Sequence, residues 1–221
     1  MTKSEIFKLV DHTLLAPTAT EADIKIICDD AIKYGCASVC IPNTHIPFAS
    51  AYVEGRIKIC AVIGFPLGYA TSEVKAFEAR RAIADGAAEL DMVANICAIK
   101  EGRFEKVLRD IRTVREATEG HILKVIIETC LLTEEEKIRM CEIVSDSGAD
   151  FIKTSTGFST GGATREDIAL FASHISGNLK IKAAGGIRSF EDAEDFIKLG
   201  ASRLGTSSLV KLVKKEEVSG Y

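Results

Sequence analysis

The hydrophobic and polar positions of the chain fall into two alternating periods. Short apolar runs, among them "KICAVIGF" (58–65) and "LKVIIE" (123–128), are separated by longer segments whose apolar residues recur at helical spacing. Four stretches repeat one design: "YGCASVCI" (34–41), "DGAAELDMV" (85–93), "SGADFIKTS" (147–155) and "LGASRLGTS" (199–207), each a Gly, a small residue and then an apolar strand. The Gly falls where a helix would end, because the residue after a helix commonly takes a positive φ. Strands are therefore expected in these four places and at Leu9–Thr13, Lys58–Gly64, Ile122–Glu128 and Leu179–Ala183, eight in all. Helices are expected over 20–34, 44–53, 71–85, 98–117, 133–147, 164–174, 189–199 and 206–215. Several open on capping residues: Thr20, Thr133, Thr164, and Ser189 with Asp192 three on.

Near-continuous apolar strands that alternate with helices imply a parallel sheet covered by helices. Eight such units suit a closed α/β barrel, the (β/α)8 TIM barrel, better than an open sheet, although the chain is compact beside the ~250 residues typical of that fold. No linker, low-complexity stretch or composition shift divides the sequence, so residues 1–221 are read as a single barrel domain.

Composition narrows the partners. The chain is 47% hydrophobic and 27% charged with a net charge of −4, and its Lys and Arg are scattered, which argues against nucleic acid and anionic membrane surfaces. No stretch approaches ~18 uninterrupted apolar residues, and "MTKSEIFKLVDHTLL" lacks the apolar run of a signal peptide. Seven Cys (28, 36, 40, 60, 97, 130 and 141) form no CxxC pair and mostly sit in apolar segments, which fits reduced thiols in a cytoplasmic protein. No HExxH, P-loop or GxGxxG occurs, so no metal or cofactor is expected and a small molecule is the partner that remains.

In a TIM barrel the active site lies at the C-terminal ends of the strands. The polar residues expected there are Asp11, Cys40, Asp91, Glu128, Lys153 and Lys182, followed by Gly185-Gly186 and "GTSS" (205–208), with strand interiors read as apolar. Lys153 and Lys182 end adjacent strands in this reading, so two ammonium groups would converge. Such crowding lowers a lysine pKa towards the neutral amine that attacks carbonyls. The alternative is a lysine turned outward or paired with Asp91 or Glu128, and on the residues alone both stand. Asp91 is the better proton-transfer candidate; Glu128 reads as well as a structural ion pair. The loops at 182–189 and 204–208 present backbone N–H groups, Ser hydroxyls and a helix N-terminus where barrels often hold phosphate. His12 should point away from the barrel centre if Asp11 points in, and Cys40 defaults to a buried thiol.

These segments carry a resemblance that runs through nearly the whole chain: "VDHTLLAPTAT" (10–20), "VIGFPLG" (62–68), "GAAELDMV" (86–93), "LKVIIETCLLTEEEK" (123–137), "ADFIKTSTGFSTGGAT" (149–164), "KAAGGIR" (182–188) and "LGTSS" (204–208). The sequence resembles the deoxyribose-phosphate aldolases. The resemblance implies a metal-free class I aldolase that reversibly cleaves 2-deoxy-D-ribose 5-phosphate to D-glyceraldehyde 3-phosphate and acetaldehyde, in deoxyribonucleoside catabolism. It implies Lys153 as the Schiff-base lysine, Lys182 as the lysine that depresses its pKa, and Asp91 as the proton-relay carboxylate. Gly157, Gly185, Gly186, Ser207 and Ser208 fall on phosphate-binding positions, and Asp11 and Thr13 in the substrate-proximal first strand. A homo-oligomer, dimer or tetramer, is implied in the same way. Phe158 stands where some members carry a further lysine, Pro42-Asn43 reverses the usual order, and Cys97 replaces a Gly. Tyr221 matches a terminal tyrosine whose tail closes on the site in some members, with a frayed end as the alternative. Another phosphate-binding barrel enzyme and a non-catalytic binding protein are the competing readings, and retention of both lysines with Asp91 disfavours the second.

Overall fold

The computed structural model describes residues 1–219. Eight parallel strands, β1 (Val10–Thr13), β2 (Ser38–Cys40), β3 (Lys58–Ile63), β4 (Glu89–Val93), β5 (Ile122–Ile126), β6 (Phe151–Lys153), β7 (Lys180–Ala184) and β8 (Ala201–Thr206), pair in sequence order, and β8 closes on β1. The helices are α1 (Lys3–Phe7), α2 (Glu21–Tyr34), α3 (Ile46–Val53), α4 (Ser72–Ala84), α5 (Ile96–Lys100), α6 (Phe104–Ala117), α7 (Glu134–Asp146), α8 (Arg165–His174), α9 (Phe190–Lys198) and α10 (Ser208–Ser219). This is the expected (β/α)8 barrel. Among the described residues no helix is long and apolar enough to cross a membrane.

The local signals account for most boundaries. Thr20 with Asp23, Thr133 with Glu136 and Ser189 with Asp192 form capping boxes, and Thr164 accepts from the Asp167 N–H. Gly35, Gly86, Gly148 and Gly200, the repeated helix-to-strand joints, all have positive φ. Two helical readings change. The segment 98–117 is two helices, because Asn95 caps an earlier start at Ile96 and the chain turns at Gly102 before α6. The short α1 was not expected, yet Thr2 and Glu5 form a capping box that starts it, and its buried Phe7 meets Phe190 edge-on at 5.7 Å.

The apolar core lies between the barrel and its helices. Strand residues such as Val10, Val39, Ile59, Leu90, Val125, Ile152, Ile181 and Leu204 join Ile24, Ala79, Ile111, Val144, Phe171 and Phe196 in one buried cluster. The alternate residues face inward, and many of them are ionic: Asp11, Glu89, Asp91, Lys124, Lys153, Lys182 and Arg203. The expectation that strand interiors are apolar therefore holds for the outward face only. Period-2 alternation divides each strand between hydrocarbon outside and charge inside.

Candidate active site

Asp91 stands at the centre of the lumen, in the middle of β4 rather than at its end. Its Oδ2 accepts from Lys153 Nζ and Lys182 Nζ, each at 2.7 Å; its Oδ1 accepts from Lys124 Nζ at 2.9 Å and from the Cys60 thiol at 3.1 Å. Asp11 Oδ2 receives Lys182 at 2.5 Å, and its Oδ1 receives Arg203 and the Ser38 hydroxyl. Glu89 pairs with Lys124 and Arg203, both at 2.7 Å. Three carboxylates thus face four cations, so the fully ionised lumen has one positive charge in excess.

Burial and pairing act in opposite directions on these groups. Burial alone would raise the Asp91 pKa, but Lys124, Lys153 and Lys182 overcome it and hold the carboxyl well below its usual range. Asp11 is lowered in the same way, against burial, by Lys182, Lys124 and Arg203. Burial would lower Lys182, yet Asp11 and Asp91 raise it above an ordinary lysine; Lys124 is raised by Asp91 and its neighbours. Asp91 is an ionised hub, and Lys182 is a cation.

Lys153 is the last residue of β6 and lies in register with Lys182 on β7. Lys182 is not at a strand end: two more residues of β7 follow it, and it lies fully buried. Lys153 alone of the three lysines reaches the mouth, where it lines a cavity of about 420 Å³ with Thr13, Leu15, Thr156, Gly157, Phe158, Gly185, Gly205 and Ser207. A cleft of similar volume, about 430 Å³, lies between α2 and α10 and carries His12, but none of the lumen lysines opens into it. Of the two, only the mouth is lined by a lumen lysine.

The loops around that mouth are packed backbone to backbone. A Cβ at Gly162 would lie 2.6 Å from the Gly185 carbonyl carbon, and Ala163 N–H donates to Ala184 O at 3.0 Å. The Thr154 hydroxyl bonds Ala184 O at 3.1 Å. Of the residues expected to hold phosphate, Gly157, Gly185 and Ser207 line the cavity, whereas Gly186 and Ser208 do not. Ser208 N–H is already taken by Thr206 Oγ1 at 3.0 Å.

Two expected participants sit elsewhere. Glu128 meets no lysine; it follows β5 at φ 53, and its carboxylate accepts the Thr156 hydroxyl at 2.5 Å and the Thr156 N–H at 3.2 Å. Among the described residues it forms no ion pair, which corrects that reading, and its bonds to Thr156 pin the turn that borders the cavity. Cys40 is fully buried beside Cys60 and Val62 under Leu15 and Phe65, and a hydrogen bond with Cys60 pulls its thiol below the ordinary value against burial. Cys40, Cys60 and Asp91 bring three ligand-type atoms within 4.8 Å of one another, but the Lys124 ammonium already bonds Cys60 and Asp91 there. Tyr221 lies outside the described residues.

Lys124, Glu89, Arg203 and Cys60 are the site residues that the sequence reading missed. Glu89 and Asp91 are two apart in one strand and so share a face, and Lys124 interrupts an apolar run at the register opposite Asp91. Strict alternation applied to every strand would have found them.

A family profile described as DeoC/LacD family aldolase matches residues 6–208. The chain is 56% identical over 216 residues to the deoxyribose-phosphate aldolase of Clostridioides difficile (strain 630), covering 98% of this chain and 99% of that one. It is 56% identical over 221 residues to the enzyme of the same name from Clostridium botulinum (strain Eklund 17B / Type B), covering all of both. Among solved structures, a deoxyribose phosphate aldolase from Aeropyrum pernix, described as having a unique tetrameric structure, superposes with a TM-score of 0.89 at 34% identity over 98% of this chain and 92% of that one.

Proposed function

This chain belongs to the DeoC/LacD aldolase family, and from that premise we propose how its barrel mouth works as a Schiff-base site. The reaction is the reversible cleavage of 2-deoxy-D-ribose 5-phosphate to D-glyceraldehyde 3-phosphate and acetaldehyde. One observation carries the assignment of roles: Lys153 Nζ, at the floor of the mouth, shares Asp91 Oδ2 with Lys182.

The neutral amine of Lys153 adds to the C1 aldehyde of the open-chain sugar and loses water to give an iminium. With Lys153 neutral, the lumen holds three cations against three carboxylates, and Lys182 stays charged on Asp11 and Asp91. Removing the C3 hydroxyl proton then breaks the C2–C3 bond. Glyceraldehyde 3-phosphate leaves, and the electron pair moves onto the two-carbon fragment as an enamine. Asp91, with Lys182 beside it, handles that proton and returns one to the enamine carbon before hydrolysis frees acetaldehyde. Gly157, Gly185 and Ser207 receive the phosphate, and Thr13 borders the sugar end, with Asp11 below it holding Lys182. The chemistry calls for no cofactor.

The protein is read as a cytoplasmic homo-oligomer acting on a small phosphosugar. The seven cysteines are all free thiols, five of them buried, which supports a reducing compartment. The tetrameric relative supports oligomerisation. Borohydride added with acetaldehyde should attach a two-carbon group at Lys153, located by peptide mass spectrometry; labelling at Lys182 or Lys124 instead, or at no lysine, would overturn the assignment.

A further inference from the structure

The cleft between α2 and α10 equals the mouth in size, about 430 Å³ against about 420 Å³, and the aldolase chemistry leaves it unused. Both volumes fall within the ~300–1,000 Å³ of small-molecule sites. Much of the cleft wall is hydrocarbon, from Leu14 after β1 and from Ile26 and Ile27 on α2. Ile26 is also one of the large hydrophobic side chains that stand exposed among the described residues, 55% accessible where it lines the cleft.

The charges around these walls do not cancel. Two carboxylates, Asp23 and Asp30, face three ammonium groups, Lys211, Lys214 and Lys215. Both Asp30 oxygens accept from Lys214 Nζ at 2.9 Å, and Asp23 Oδ2 accepts the Thr20 N–H and hydroxyl in the cap of α2. Lys211 and Lys215 make no hydrogen bond or ion pair among the described residues. They are four apart on α10, so they are neighbours on one face of the helix and repel. His12 at the cleft adds no charge near neutral pH, because burial holds its imidazole pKa at about 4. An anion lying between Lys211 and Lys215 would supply the missing partner.

We propose that this cleft binds a small amphiphilic carboxylate, its head held by Lys211 and Lys215 and its hydrocarbon chain laid along Leu14, Ile26 and Ile27. An inorganic anion would leave Ile26 exposed, and a neutral hydrocarbon would leave the two lysines unpaired; only the combination satisfies both. Thr13 and Ser207 line the cleft and the mouth alike, so the ligand would sit across one wall from the proposed phosphate position.

Octanoate is the probe, titrated into the full chain by calorimetry and followed by NMR of protein carrying labelled isoleucine methyl groups. One octanoate should saturate each chain, and the Ile26 and Ile27 methyl signals should move with the same affinity. Ile26→Glu, and Lys211→Glu combined with Lys215→Glu, should each weaken binding by roughly tenfold or more, with circular dichroism confirming that each variant is folded. Octanol and inorganic phosphate should bind more weakly than octanoate by a similar factor. Uptake that does not saturate, methyl shifts at other isoleucines only, or folded variants with the parent affinity would overturn the site. Phosphate binding as tightly as octanoate would overturn the amphiphilic ligand. Imine trapping at Lys153 reports on the catalytic assignment independently.

Discussion

His12 faces away from the lumen, 4.0 Å from Asp30, and burial there lowers its imidazole pKa from 6.5 to about 4. The unfolded chain therefore binds more protons than the folded one between those values. Stability is complete above pH 6.5 and is lost as pH falls towards 4, by on the order of 3 kcal/mol, and it levels off below that. Urea midpoints measured across pH 4 to 7 should show this slope, and His12→Gln should flatten it. The outward direction of His12 was readable from alternation with Asp11, and Lys153 was readable as a lysine closing an apolar strand. Lys124 was not read, because a lysine between Leu123 and Val125 looks like a lapse in a hydrophobic run until its partner across the sheet is known. Glu128 was misread for a related reason. Its sequence neighbours place it at a strand end, but its left-handed backbone turns the carboxylate to Thr156 instead of the lysines.

At the scale of elements, the strands and most helices were legible because caps and Gly joints are local chemistry. The packing between loops was not. Nothing in "GFSTGGAT" announces that Gly162 will press on Gly185, since that contact joins the loop after β6 to the loop after β7. A methyl group at Gly162 would meet backbone, which cannot swing aside as a side chain can. Gly162→Ala should therefore displace the loop that frames the proposed phosphate pocket. The expected signature is a rise in KM for the phosphosugar of tenfold or more, about 1.4 kcal/mol in binding. Borohydride trapping of acetaldehyde at Lys153, which needs no phosphate contact, should be far less affected. An equal loss in both assays would show that Gly162 supports the fold at large.

Across the whole molecule the lumen and the surrounding shell respond to different conditions. Asp11 and Asp91 are depressed, so their contribution is present above the ordinary carboxylate range and lost only in stronger acid. Lys124 and Lys182 are raised, so theirs is present below the ordinary lysine value and lost only in stronger base. Between about pH 5 and 10 these four groups keep their charges, whereas the His12 slope falls between pH 4 and 6.5. The barrel class was legible from eight alternating units, but the charged interior was not, because the expectation of apolar strands treats the two faces of each strand alike.

An interior wired in this way constrains which sequence changes the protein tolerates. Lys124→Met alone leaves Glu89 to Arg203 and removes the ammonium from Asp91 Oδ1, and breaking such a buried pair from one side costs ~3–5 kcal/mol. Glu89→Leu alone leaves Lys124 and Arg203 short of an acceptor. Made together, the two changes remove one charge of each sign, and the double variant should be more stable than the sum of the singles predicts by about 0.5–3 kcal/mol in a denaturant cycle. Additive losses would mean that the pair is not energetically linked. If the coupling holds, drift and engineering alike can cross the lumen only by paired steps, so epistasis would be the rule inside the barrel and independence the rule in its hydrocarbon shell.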